Sequence, residues 1–99
     1  MTQYQVNISD LAKREIEEFY LYIAEDSPEN AQKWYFSIYD KIQTLRNFPM
    51  RSPIADEDIF HEYEIRNLIF GDYRVLYRIK ENIVQILHVK HGKMKRKPF

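Results

Sequence analysis

Cations recur on one side of a short segment, GDYRVLYRIK, at residues 71–80. If this segment is a strand, alternation places Arg74, Arg78 and Lys80 on one face and the aromatic and aliphatic residues on the other. Three cations on one strand face suit a site that binds an anion. Two alternatives stay open: a solvated surface, or a pairing of Arg74 with an acid of the next strand, such as Glu64, that fixes register.

The distribution of charge also indicates an anionic partner for the C-terminal half. The 99 residues have zero net charge, but residues 1–60 carry 11 acids and 6 bases, and residues 61–99 carry 4 acids and 9 bases. Such an asymmetry favours an interaction with an anion, and a solvated tail is the alternative. Several cations of this half lie near the end of the chain: Lys90, Lys93, Lys95 and Arg96.

Composition excludes several classes of protein. There is no cysteine, so disulfides and thiolate zinc sites are excluded. Neither a membrane span of about 20 apolar residues nor a signal peptide is present, which predicts a cytoplasmic protein that has no contact with a membrane. The acids Asp56, Glu57 and Asp58 lack the spacing of a metal site, so we expect a solvated loop, no metal and no cofactor.

The first half of the chain is predicted to form one strand and two helices. Residues 3–8 alternate polar and apolar side chains, as a half-buried strand does. Ser9 is placed to cap an amphipathic helix over residues 10–25, and Ser27 precedes a second helix over residues 28–47. Because the link is so short, the two helices should form an antiparallel hairpin.

The second half is predicted to form a loop and three strands. Residues 49–61 hold prolines and acids, and strands follow over residues 62–70, 73–80 and 83–91, joined by two-residue turns. The whole chain is then a single α+β domain, residues 1–99, with the order β-α-α-β-β-β. The helical hairpin covers one face of an antiparallel meander, and the first strand joins the same sheet.

Four stretches of the chain, in order, are similar to a known family. They are YQVNISDLAKREIEEFYLYIAEDSPENA, LRNFPMRSP, EIRNLIFGDYRVLYRI and ILHVKHGK. Together they resemble the RelE/ParE superfamily, the toxins of bacterial type II toxin–antitoxin modules, and look closer to the ParE branch. The resemblance implies growth inhibition, plasmid stabilization and neutralisation by a cognate antitoxin. ParE-type members poison DNA gyrase, whereas RelE-type members cleave mRNA in the ribosomal A site.

The match to a RelE-type nuclease is incomplete. Cleavage by the ribose 2′-OH needs a base, an acid and a cation that stabilises the phosphorane. Arg74 matches the arginine of the RelE pattern, and Arg66 falls near one of its lysines. Glu64 stands where the pattern has a lysine, Met94 stands near an expected arginine, and no tyrosine follows.

Histidines are the remaining candidates for acid and base. His88 and His91 are three residues apart, so in a strand they point to opposite faces, and at most one joins the face of Arg74. If the protein is a nuclease, we expect Arg66, Arg74 and His88 to act. The interpretation that we favour is binding of gyrase without catalysis; the alternatives are a ribosome-dependent endoribonuclease and an inactive antitoxin-binding relic. The residues expected to bind target or antitoxin are Arg66, Arg74, Arg78, Lys90, Lys93, Lys95 and Arg96.

Overall fold

The computed structural model describes residues 3–55 and 63–92. Its elements follow the predicted order of a strand, two helices and three strands. They are β1 (Gln5–Ile8), α1 (Asp10–Asp26), α2 (Pro28–Gln43), β2 (Arg66–Phe70), β3 (Tyr73–Lys80) and β4 (Ile83–His91). Within the described part of the chain, no helix is long and apolar enough to cross a membrane.

Two serines define where the helices begin. The hydroxyl of Ser9 accepts a hydrogen bond from the backbone N–H of Ala12 at 3.0 Å, and that of Ser27 accepts one from Asn30 at 3.2 Å. The backbone N–H of Ser27 also donates to Ile23 at the end of α1. A single residue therefore ends one helix and starts the next, which forces the chain to reverse and forms the hairpin.

The four strands form one mixed sheet in the order β1-β4-β3-β2. Strands β2, β3 and β4 form the predicted antiparallel meander, whereas β1 pairs with β4 in parallel. A parallel pair needs a crossover connection, and the helical hairpin is part of that connection. The place of β1, which the sequence leaves open, is thus the edge of the sheet beside the last strand.

The main core lies between the helices and one face of the sheet, which we call the helix face. Buried side chains of α1 and α2 meet those of the three C-terminal strands. The cluster consists of Ala12, Ile16, Ile38, Ile42, Leu45, Leu68, Val75, Tyr77, Val84, Ile86 and Val89. Along β3 the members of this cluster alternate, as a sheet covered on one face requires, and Val6 and Ile8 of β1 pack against its edge.

An extra residue in β4 changes the alternation of that strand. Leu76 is opposite His88 but Tyr77 is opposite Ile86, so Leu87 is a bulge. Unbroken alternation from Ile86 would turn His88 toward the helices. The bulge instead keeps Val89 in the core and places His88 on the outer face, the face of the sheet turned away from the helices.

The outer face has a small apolar cluster of its own. Leu76 is fully buried there and packs with Ala55, Ile65 and the partly buried Leu87. Backbone hydrogen bonds hold the loop before β2 against that strand, from Ala55 N–H to the Ile65 carbonyl and from Asn67 N–H to the Pro53 carbonyl. The loop therefore covers part of the outer face and part of the open edge of β2.

The observed ends of two elements differ from the prediction. The second helix stops at Gln43 and continues as a 3₁₀ turn over Thr44–Arg46, because the chain tightens before Pro49. Strand β2 begins at Arg66 rather than residue 62, since residues 63–65 run beside the loop outside the strand. The acids Asp56, Glu57 and Asp58 lie outside the described residues.

Candidate functional site

The outer face of β3 and β4 brings together four of the residues that the sequence predicts for the site. We call this set, Arg74, Arg78, His88 and Lys90, the basic face. Arg74 is directly opposite Lys90. Two residues further along β3 on the same face, Leu76 is directly opposite His88. Directly opposed residues of like charge repel each other, so an arrangement with Arg74 beside Lys90 suits an anion that binds across both strands.

The register of β2 against β3 argues against the alternative in which Arg74 pairs with Glu64. The residue of β2 opposite Arg74 is Ile69. The Glu64 carboxylate instead lies 2.7 Å from the Arg66 guanidinium. Glu64 is therefore the partner of Arg66, and it does not set the register at Arg74.

Arg78 is oriented by an aromatic ring. Its guanidinium carbon lies 4.0 Å from the ring centre of Tyr63, over the face of the ring. Its Nε is buried and has no hydrogen-bond partner among the described residues. A cation–π contact of this kind stabilises by about 0.5–1 kcal/mol at an exposed site, so Tyr63 helps to orient Arg78 on the outer face.

His88 lies at the point where α1 passes the edge of β4. Its Nδ1 is 3.4 Å from a carboxylate oxygen of Glu15, and the same oxygen accepts a hydrogen bond from the backbone N–H of Val89 at 3.0 Å. Beyond the end of β1, Glu15 thus takes the place of a neighbouring strand and satisfies an edge N–H group. His88 has a local structural role in addition to its place on the basic face.

Arg66 lies on the helix face, opposite Tyr77, and not with the other predicted cations. One guanidinium nitrogen donates to the carbonyl of Ser52 at 2.7 Å and to that of Met50 at 3.2 Å. With the Glu64 contact, these bonds use most of its donors. Arg66 therefore fastens the proline-containing loop to β2, and this loop forms the cover of the outer apolar cluster.

Tyr77 fastens the same loop from the core. Its hydroxyl donates to the carbonyl of the buried Pro49 at 2.5 Å. Burial raises the pKa of Tyr77 above its usual value, while the hydrogen bond with Ser52 and the charge of Arg66 oppose that shift. The neutral phenol is thus the form that the folded protein holds.

The predicted nuclease residues do not converge. His88 and Arg74 share a face, but Arg66 lies on the opposite face, three strand positions from the point where β2 meets Arg74. That distance is about 10 Å along the strand, in addition to the thickness of the sheet. Lys93, Lys95 and Arg96 lie outside the described residues. Among residues 3–55 and 63–92, no group of His, Asp and Glu side chains is arranged to hold a metal.

Two residues that orient the basic face are not evident from the sequence. Glu15 is one of several acids in α1, and only the bulge in β4 shows that it meets the strand edge. Tyr63 precedes β2, so its contact with Arg78 depends on the path of the loop. Neither position has a motif that would have indicated its role.

A sequence model of one family matches nearly the whole chain. The family described as "ParE toxin of type II toxin-antitoxin system, parDE" matches residues 6–96. No curated protein matches the chain with significance.

Solved toxin–antitoxin structures share the fold. In the chromosomal ParDE system of P. aeruginosa, the similar chain has 16% identity and a TM-score of 0.77, with 94% of this chain and 100% of that one covered. The RelBE2 complex of Mycobacterium tuberculosis gives 22% identity and a TM-score of 0.60, covering 90% and 98% of the two chains. The RelE–RelB complex of Pyrococcus horikoshii OT3 gives 18% identity and a TM-score of 0.56, with 96% of this chain and 100% of that one covered.

Proposed function

The chain belongs to the ParE toxin family of type II toxin–antitoxin systems, and from that premise we propose that it inhibits growth by binding DNA gyrase, without catalysis of its own. A cognate antitoxin neutralises it by covering the surface that meets the target. The basic face is the part of that surface within the described residues. Its cations would contact acidic side chains of the antitoxin in the neutralised state and the gyrase–DNA complex in the active state.

The observation that carries the proposal is the separation of the candidate nuclease residues. Acid–base cleavage of RNA needs its groups within hydrogen-bond reach of one phosphate and one ribose. Arg66 is bound to loop carbonyls on the helix face, and Arg74 lies on the outer face. A surface that only binds needs no such convergence, because charge and shape are sufficient for it.

Similarity to complexes supports the antitoxin as a partner. The three solved structures described above are, by their own descriptions, a ParDE system, the toxin–antitoxin complex RelBE2 and a RelE–RelB complex. Stable protein pairs combine apolar anchors with arginine contacts. Beside the basic face, Ile69 is about half exposed and lies directly opposite Arg74. The two residues together offer an apolar contact and an arginine contact.

The test of the target is an assay with purified components. The chain, purified away from antitoxin, is added to DNA gyrase and supercoiled plasmid, and linear DNA is measured after protein denaturation. We expect linear DNA to accumulate in a gyrase-dependent manner. In cells, induction of the toxin should cause filamentation and a DNA damage response. Normal DNA and immediate arrest of translation would refute the gyrase target.

One observation favours a ribosome-dependent endoribonuclease as the second candidate. Arg74 and Lys90 lie on the same face as His88, so two cations and one titratable group are present together. If this set acts on RNA, induction should produce cuts in mRNA at the ribosomal A site, and His88→Gln should abolish them. Purified chain that affects neither gyrase nor translation would support the inactive antitoxin-binding relic.

A further inference from the structure

A cleft of about 380 Å³ lies on the helix side of the sheet, away from the basic face. One wall comes from α1 and the other from the facing ends of β3 and β4. The lining residues are Glu18, Phe19, Tyr22, Tyr73 and His91. Nothing in the proposed binding of gyrase through the basic face uses this cleft.

The aromatic wall of the cleft is fixed by packing. The Tyr73 ring centre lies 5.0 Å from that of Phe19, 5.0 Å from that of Trp34 and 5.1 Å from that of His91. Contacts of this length, mostly edge to face, are favourable and hold the rings in defined orientations. The strand end beneath them is also fixed, because Gly92 N–H donates to the Asp72 carbonyl and a Cβ at residue 92 would come within 2.9 Å of it.

Acidic and aromatic side chains line the cleft. The exposed carboxylate of Glu18 is part of its lining. Burial raises the pKa of Tyr73, and the nearby charge of Asp72 adds to that shift, so this ring stays a neutral phenol. The faces of aromatic rings carry partial negative charge as well. The carboxylate in this lining is opposite in sign to the cations of the basic face.

Tyr22 stands at the mouth of the cleft with 71% of its surface exposed. An aromatic side chain so far exposed contributes little to folding, because most of its area stays in water in the native state. Tyr22 and the carboxylate of Glu18 together form an open, aromatic and acidic side of the cleft. This combination is the chemistry by which proteins hold cationic side chains.

We propose that this cleft binds a cationic side chain of a partner protein, arginine in preference to lysine. A guanidinium can stack on Tyr22 or Tyr73 while it donates two hydrogen bonds to the Glu18 carboxylate, because it is planar and delocalised. An ammonium group forms the ion pair but stacks less well. The partner segment at this cleft is thus basic, unlike one that binds to the basic face, and this holds whichever macromolecule the toxin acts on.

The single tryptophan of the chain reports on the cleft. Trp34 packs against Phe19 and Tyr73, one layer below the lining. Its indole N–H gives one NMR resonance, which can be followed in the full-length chain while a capped peptide, acetyl-Gly-Arg-Gly-amide, is added. We expect a saturable change in this resonance. The lysine peptide should bind more weakly, and the citrulline peptide, which has the shape but not the charge, should cause no change.

Matched variants test the location. Glu18→Gln and Tyr22→Ala should each weaken binding of the arginine peptide about two- to fivefold, the range for an exposed ion pair or cation–π contact. Glu17→Gln and Phe36→Ala are the controls, since both residues are exposed and line a different cleft between the helices. Equal effects of test and control variants would refute the site.

Two other occupants would overturn the proposal. The chain's own end carries Lys95, Arg96 and Lys97. If their replacement by glutamine in the full-length chain shifts the Trp34 resonance before any peptide is added, the cleft holds this segment rather than a partner residue. If adenosine shifts the resonance and the arginine peptide does not, the cleft is a stacking site for a nucleobase.

Discussion

The two faces of the sheet differ in how they are covered. The helix face is sealed by two helices, and buried side chains from every layer meet there. The outer face has a small cluster around Leu76, beneath a loop, with cations on both strands beside it. A sealed face is constrained by packing at every position, whereas an incompletely covered face can keep charges that fold stability does not require. In so small a chain, the outer face is therefore where residues can serve function without a cost to the core.

The largest expected difference between the faces is in stability. Ile86→Ala removes a fully buried side chain of the helix face, and we expect a loss of about 4 kcal/mol, since a cavity between helices and sheet cannot close. Leu76→Ala should lose about 2 kcal/mol, because the overlying loop can settle into the space. Urea denaturation measures both. Ile69→Ala, at a half-exposed position, is the control, with a change below about 0.5 kcal/mol. Equal losses for the two buried positions would mean that the outer cluster is as rigid as the main core.

The next effect concerns the proline-containing loop before β2, which covers the outer apolar cluster. Arg66→Ala removes the guanidinium that binds the carbonyls of Met50 and Ser52, and we expect a loss of about 2 kcal/mol. Arg51→Ala is the matched control, because Arg51 is exposed and, among the described residues, its guanidinium lies over the ring of Phe48. Urea denaturation and the rate of proteolysis within the loop check this. Loss of toxicity by Arg66→Ala at unchanged stability would instead assign Arg66 to partner binding.

A smaller effect depends on pH. Tyr77→Phe loses the hydrogen bond to Pro49 and should cost about 1 kcal/mol at pH 7. The folded-state pKa of Tyr77 lies above the unfolded value of about 10, so its contribution is complete below pH 10 and is lost as pH rises through the folded pKa. The difference between wild type and variant should therefore shrink above pH 10. A difference that stays constant from pH 7 to 11 would show that Tyr77 ionises equally well in both states.

Local patterns predict most of the fold. Ser9 and Ser27 cap the two helices as expected, and the alternation in β3 correctly assigns Tyr77 to the core. Such features depend on neighbours within a few residues, which a sequence displays directly. The parallel pairing of β1 with β4 depends on contacts about 78 residues apart, and only the folded chain shows it.

The candidate site is less predictable because it depends on one inserted residue. The bulge at Leu87 determines that His88 and Lys90, rather than Val89, share the face of Arg74. A bulge changes the face of every residue beyond it, and the sequence of β4 contains no glycine that would mark it. The separation of Arg66 from the basic face likewise follows from register, which the hydrophobic pattern of β2 leaves open.

The smallest effect on stability should accompany a clear effect on function. Arg74→Ala is expected to change the free energy of unfolding by about 0.5 kcal/mol or less, because its side chain is outside both apolar clusters. Toxicity on induction without antitoxin should nevertheless fall. Lys80→Ala is the matched control: it lies on the same face of the same strand and is exposed, but it lies at the far end of β3, outside the basic face. If both variants lower toxicity equally, net charge alone is responsible. Loss of soluble protein with Arg74→Ala would show that this position on the outer face serves the fold as the helix face does.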